Sequence, residues 1–236
     1  MRAAFGFLTI LPYRGSPTRV TLASFVMVGL VVGTVVATVG LAVDAVTNPS
    51  VAGVAMVISD LVVTGLLHVD GVADCGDGLI VPMDRSRRRA VMKSPELGAF
   101  GVVVVVVVVL ARYVGFSQLL DARMVWNVVP MWALSRLLMA TALRYGRPAY
   151  PGGTRALFDD VPLPLFAVAL LVLVVGVGGA FVGGGACLGE LGGVVVGFGA
   201  TIALGYRRIG GVTGDVLGAA GVVGETLGLL IGGVRW

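Results

Sequence analysis

Charge is what this sequence has least of. Only 13% of its 236 residues are Asp, Glu, Lys or Arg, against about a quarter in soluble domains. Hydrophobic residues make up 57%, and the mean hydropathy is +1.00. The length alone would allow one or two soluble domains, but this composition excludes them and indicates a membrane protein. Cysteine is nearly absent too. Cys75 and Cys187 form neither a disulfide framework nor a metal-ligand spacing, so both are read as free thiols. The opening "MRAAFGFLTILPYRGSPTR" is not expected to act as a signal peptide. Its apolar core, Ala3 to Leu11, is short, ends at Pro12 and is followed by no clean cleavage site. Residues 1–20 are expected to form an interfacial N-terminal segment with a short helix.

What the chain has instead is long hydrophobic runs. Seven reach the roughly 20 residues needed to cross a bilayer: about 22–45, 50–68, 97–120, 124–145, 161–183, 187–206 and 216–234. The third contains eight consecutive valines, Val102 to Val109. β-Branched residues favour strands in water, yet this run sits in an apolar stretch far longer than a strand, which predicts a lipid-facing helix. The fifth and sixth segments are joined by "VGVGGAFVGGGACLGELGG", where glycines would let helices pack closely. The expected fold is all-α: one polytopic integral membrane helical bundle over 1–236, with about seven transmembrane helices and six as the alternative.

The net charge of +4 invites a nucleic-acid reading, which the distribution excludes. Arg2, Arg14 and Arg19 precede the first span. Arg85, Arg87, Arg88, Arg89 and Lys93 lie between the second and third. Arg144, Arg147 and Arg155 follow the fourth, and Arg207 and Arg208 follow the sixth. The opposite side has only Arg123 and Arg235. This is the positive-inside pattern, and it predicts a cytoplasmic N-terminus in a multi-pass protein of the cytoplasmic membrane. The lipid bilayer is its expected partner; nucleic acid is not.

Two polar stretches fall on that same side. In "LHVDGVADCGDGLIV", residues 67 to 81, Asp70, Asp74 and Asp77 are spaced i, i+4, i+7. On a regular helix they span an arc of about 60°. Three carboxylates on one face repel one another and call for a cation. Mg²⁺ suits them, because it takes hard oxygen ligands and leaves positions for water and phosphate. Gly71, Gly76 and Gly78 leave room for a ligand to approach the backbone. The competing structural reading pairs the acids with the arginines at 85–89. His68, two residues earlier, either caps helix carbonyls or acts as a proton acceptor or phosphate contact.

The second stretch, "GGVTGDVLGAAG", spans Gly210 to Gly221. Thr213 and Asp215 open a helix there, as a cap or as part of a site. Glu225 lies well inside the last span and, with Asp215, is expected to add acidic groups. Arg136 sits near the middle of the fourth span, where an arginine normally faces a cavity or a partner. Asp60 or a phosphate is its expected counterpart. Arg112, also within a span, is free to snorkel.

Together "LLHVDGVADCGDGL" and "GGVTGDVLGAAGVVGETLGLL" resemble the two signatures of the cobalamin-5′-phosphate synthases, also called adenosylcobinamide-GDP ribazoletransferases. "FLTILP" at 7–12, "VMKSPELGAFG" at 91–101, "LSR" at 134–136 and "LRYGR" at 143–147 are looser matches in the same order. The resemblance covers nearly the whole chain. It implies a Mg²⁺-dependent membrane phosphotransferase. A hydroxyl of α-ribazole, or of its 5′-phosphate, would attack the phosphate nearest cobinamide in adenosylcobinamide-GDP and release GMP. It implies Asp70, Asp74 and Asp77 as metal ligands. His68 and Asp215 would join them in catalysis, and Lys93, Arg136, Thr213 and Glu225 would contact substrate. The arginine map puts both motifs, and so the expected active site, on the cytoplasmic side, and a homo-oligomer is compatible with this reading. Two acids usual in the family are absent: Ser94 follows Lys93, with Glu96 two residues on, and Val222 stands three residues before Glu225. The "GLG"-type stretch usual after the fourth span is not clear in "PAYPGGTRALF".

Two other readings compete. CDP-alcohol phosphatidyltransferases also carry spaced aspartates, but their motif needs an Ala-Arg pair where Ala73 is here followed by Asp74. A secondary transporter would place its polar residues near the midplane of an inverted repeat. Here they cluster at one membrane face, and "ADCGDGL" and "VTGDVLGA" give only a faint echo of a repeat.

Overall fold

A computed structural model describes residues 2–11, 21–150 and 185–233, with positions 168, 170, 171, 173 and 178. The described residues are helical apart from turns, loops and a single bridge between Pro148 and Val212. A short α1 (Arg2–Leu8) packs on α2 (Thr21–Asp44). Then follow α3 (Pro49–Val63), α4 (Leu67–Cys75) and a π-helical turn (Gly76–Ile80). Next come α5 (Arg85–Val91) and α6 (Ala99–Asp121). A 3₁₀ turn (Val125–Asn127) leads into α7 (Val128–Tyr145). α8 (Gly185–Ile209) and α9 (Gly214–Gly232) complete the bundle.

Among the described residues, α2, α6, α8 from Cys187 onward, and α9 are long and apolar enough to cross a membrane on their own. The chain is therefore an all-α membrane protein. The eight-valine run lies in α6 as a helix. Val102, Val103, Val106 and Val107 are exposed on its outer side, while Gly101, Val108 and Arg112 turn inward. In hydrocarbon, a helix satisfies every backbone group within the segment, and this outweighs the strand preference of valine.

The second expected span, 50–68, is not one straight helix. α3 starts with Pro49 in its first turn, capped by the Asn48 side chain, which accepts from the Val51 N–H at 3.1 Å. It stops at Val63, and Gly65 (φ +61°) and Leu66 (φ +59°) both take left-handed backbone angles. α4 with its π turn leaves at 94° to α3 and reaches span length and apolarity only jointly with it. The break matters because it swings His68, Asp70 and Asp74 across the end of the bundle, toward α9. The fifth expected segment, 161–183, lies almost wholly outside the described residues.

The glycine-rich α8 pairs with α9 in a tight hairpin. A Cβ on Gly197 would stand 2.9 Å from the Gly224 Cα, so the two backbones touch where any larger residue would hold them apart. Cys75 and Cys187 are buried free thiols, as expected.

Candidate active site

Four helices meet at mid-depth around charge. Arg112 on α6 donates to Asp60 on α3 (2.7 Å) and to Glu225 on α9 (3.3 Å). Arg136 on α7 donates to the other oxygen of Glu225 (2.6 Å). The Trp132 indole N–H completes Asp60 at 2.8 Å. All four charged side chains are buried, the two arginines at 1% exposure. Arg112 therefore does not snorkel, and the partner of Arg136 is Glu225 and not Asp60. Two cations and two anions cancel in a medium that penalises any excess. Neither Arg136 nor Glu225, both expected at the substrate, lines the adjoining cavity.

Toward the end of α9 where its helix begins, the picture reverses. Gly71 of α4 lies against the α9 backbone: a Cβ there would meet the Asp215 carbonyl oxygen at 2.5 Å. This close crossing brings the two sequence motifs together. Asp215 and Asp70 line one cavity with His68, and Asp74 lies within the electrostatic field of Asp215, Asp70 and Asp77. Among the described residues no basic side chain forms an ion pair with any of these four acids.

The arginines at 85–89 are occupied elsewhere. Arg88 is buried and donates to the Gly78 and Leu79 carbonyls at 2.8 and 3.1 Å, closing the π turn. Arg89 donates to the Ala149 and Ile209 carbonyls at 2.8 and 2.7 Å. Pairing with these arginines is thus not what holds the acids.

The acids are not equivalent, because the regular helical spacing ends at Cys75. Asp70 is exposed, Asp74 half-buried and Asp77 buried. The π turn directs Asp77 at the start of α6. One oxygen accepts from the Gly98 N–H (2.7 Å) and the other from the Gly101 N–H (2.9 Å). A carboxylate on two free amides at a helix N-terminus is a favourable cap. Thr213 caps α9 in the same manner, accepting from the Val216 N–H at 3.2 Å, and its hydroxyl also donates to Asp215 at 3.3 Å. The imidazole of His68 is buried beside Gly218, and its Nε2 has no hydrogen-bond partner among the described residues.

Sequence reasoning missed Tyr150. The segment leading to it is fixed to the α8–α9 turn: Ala149 N–H donates to the Val212 carbonyl (3.1 Å), and Val212 N–H to the Arg147 carbonyl (2.9 Å). The ammonium of Lys93 stands 4.4 Å above the Tyr150 ring. Burial, then the charge of Asp215, raises the Tyr150 phenol above its ordinary range against the pull of Arg89. Tyr150 thereby ties Lys93 to the segment that pairs with the α8–α9 turn. Nothing in the sequence near Tyr150 signals this, since the pairing depends on a contact across more than 50 residues.

No three His, Cys, Asp or Glu side chains among the described residues converge into a ready-made metal cage. The donors fit Mg²⁺ all the same. Mg²⁺ usually binds one or two carboxylates and keeps several waters, and Asp70, Asp74 and Asp215 are neighbouring hard-oxygen donors without cationic partners.

The model of the family described as cobalamin-5-phosphate synthase matches residues 1–233. The chain belongs to that family. Among its relatives is an adenosylcobinamide-GDP ribazoletransferase of Chlorobium phaeobacteroides, 32% identical over 93% of this chain and 91% of the relative. A protein of the same name from Desulforamulus reducens is 31% identical over 96% and 92%. Another, from Haloquadratum walsbyi, is 32% identical over 100% and 97%. No solved structure matches the chain significantly. As a cobalamin-5-phosphate synthase family member, the chain matches end to end the resemblance carried by its two acidic motifs.

Proposed function

We propose that the chain is a Mg²⁺-dependent adenosylcobinamide-GDP ribazoletransferase working at the cytoplasmic face of the cell membrane. The observation that carries the reading is the crossing at Gly71, which sets Asp70 and Asp74 of one motif beside Asp215 of the other. The cytoplasmic side rests on Arg85–Arg89 of α5, Arg144, Arg207 and Arg208 in the last turns of α7 and α8, and Lys93 and Arg147 in loops, all at the end of the bundle that carries the acids.

In the proposed reaction the hydroxyl oxygen of α-ribazole, or of its 5′-phosphate, bonds to the phosphorus nearest cobinamide. The bond from that phosphorus to the GMP oxygen breaks, GMP leaves with the electron pair, and the hydroxyl proton is taken up by a base. The product is adenosylcobalamin or its 5′-phosphate. Asp70 and Asp74, with Asp215, hold Mg²⁺, and Asp77 fixes the α6 start behind them. When bound, the metal neutralises pyrophosphate charge and favours departure of GMP. Lys93, supported by Tyr150, contributes a further positive charge to the phosphates. His68, buried with an open Nε2, is the proton acceptor. Arg136 and Glu225 act one layer deeper, fixing α7 and α9 relative to each other.

The test uses the protein in lipid nanodiscs with adenosylcobinamide-GDP, α-ribazole and Mg²⁺. GMP release that depends on all three is expected. Its absence with the native protein, or full activity after Asp74→Asn, overturns the reading.

A further inference from the structure

The carboxylate end opens into a cavity of about 360 Å³, at the small end of the range for small-molecule pockets. Its lining is mostly apolar. Asp70, Asp215 and His68 contribute polar groups, and Phe7, Leu8, Phe25, Leu67, Met139, Leu143 and Leu217 make up the rest with three glycines. Phe7 and Phe25 form a stacked pair, with ring centroids 5.8 Å apart and planes at 25°. This pair joins α1 to α2, so the N-terminal helix forms part of the wall.

Resting on the transferase reading, we infer that this cavity seats the aromatic base of the nucleoside acceptor, with its sugar directed to Asp70 and Asp215. Three observations favour this substrate over the other. A corrinoid nucleotide is far too large for the space, and the polar edge of guanine would leave donors and acceptors unmatched on a Phe, Leu and Met wall. An apolar bicyclic base suits that wall. Carboxylate oxygens of Asp70 and Asp215 that the metal leaves free accept hydrogen bonds from sugar hydroxyls. The cavity is continuous with the acids of the reaction site, so a base seated in it delivers its ribose hydroxyl to the place where phosphorus is attacked. α1 thereby becomes a specificity element and not merely an interfacial anchor.

The test measures equilibrium binding of α-ribazole and, separately, of adenosylcobinamide-GDP to the full chain in nanodiscs with Mg²⁺. Leu67 lines the cavity yet is 52% exposed, so Leu67→Trp narrows the cavity from its rim with little burden on folding. Phe7→Ala, which removes half of the stacked pair, is the second variant. In both, the Kd for α-ribazole is expected to rise at least tenfold while that for adenosylcobinamide-GDP stays within twofold. The native protein is also expected to bind α-ribazole at least tenfold more tightly than adenosine. Unchanged α-ribazole affinity in both variants, or an equal loss for both substrates, overturns the inference. The two readings fail separately. A protein that binds α-ribazole in this manner but releases no GMP sinks the transferase reading alone. GMP release with an unaltered α-ribazole KM in both variants sinks the cavity assignment alone.

Discussion

One helix carries two acids that live under opposite rules. Asp215 opens α9 and Glu225 lies ten residues further on, about 15 Å along the axis at 1.5 Å per residue. Glu225 is buried and held by Arg136 and Arg112, which in turn holds Asp60. Asp215 has Asp70 and Asp74 for neighbours and no basic partner among the described residues. Around Glu225 two cations cancel two anions, because hydrocarbon penalises an excess of either sign. At its end the same helix leaves like charges side by side, an arrangement that works against folding unless a cation offsets it. Charge balance therefore separates the structural layer from the functional one more sharply than residue type does.

The largest expected effect breaks the balanced layer. Glu225→Gln leaves Arg136 without a counter-charge and Arg112 with Asp60 alone, and removal of one member of a buried pair costs about 3–5 kcal/mol. Unfolding in mixed detergent, followed by tryptophan fluorescence, should show a loss of that order. The catalytic rate of the fraction that stays folded should fall only a few-fold. Intact stability with abolished turnover would instead put Glu225 at the substrate.

The converse experiment strikes the unbalanced layer. Asp74→Asn removes one of the crowded carboxylates and is expected to lower GMP release by on the order of 10²–10³-fold. Its unfolding midpoint should stay level or rise, since repulsion is relieved where function had imposed it. A destabilised Asp74→Asn protein would erase the distinction between the two layers.

How much of this was legible beforehand differs between the layers for physical reasons. Hydropathy gave the helices, and the two motifs gave the acids, because both are local properties of the chain. The bend at Thr64–Leu66 was hidden, since it rests on left-handed angles at Gly65 and Leu66 within an unbroken apolar run. The pairing of Arg136 was ambiguous because burial demanded a partner without saying which. Asp60 and Glu225 are both acids within spans, and only the packing of α3, α6, α7 and α9 assigns them. For the triad, helical arithmetic held from Asp70 to Asp74 and failed at Asp77, where a π turn alters the residues per turn.

That failure gives Asp77 an intermediate character, between the two layers, and a smaller expected effect. Its carboxylate takes the Gly98 and Gly101 amides, so Asp77→Ala is expected to cost about 1–2 kcal/mol through the exposed α6 start. The Mg²⁺ concentration for half-maximal GMP release should move little. A shift matching that of an Asp74 variant would make Asp77 a metal ligand and extend the functional layer to three positions of α4 and its π turn.

Thr213 marks the finest boundary between the layers. Its hydroxyl accepts from the Val216 N–H and donates to Asp215, so it is both the cap of α9 and the neighbour of a reacting-site acid. Capping alone predicts that Thr213→Val lowers stability by about 1 kcal/mol and that Thr213→Ser restores it. Under that role the KM for adenosylcobinamide-GDP is the same in all three proteins. A KM that rises in Thr213→Val and recovers in Thr213→Ser, beyond what the unfolding midpoint accounts for, moves the hydroxyl from the scaffold to the substrate. The distinction is measurable because a cap acts on the folded fraction, whereas a substrate contact acts on each turnover of protein already folded.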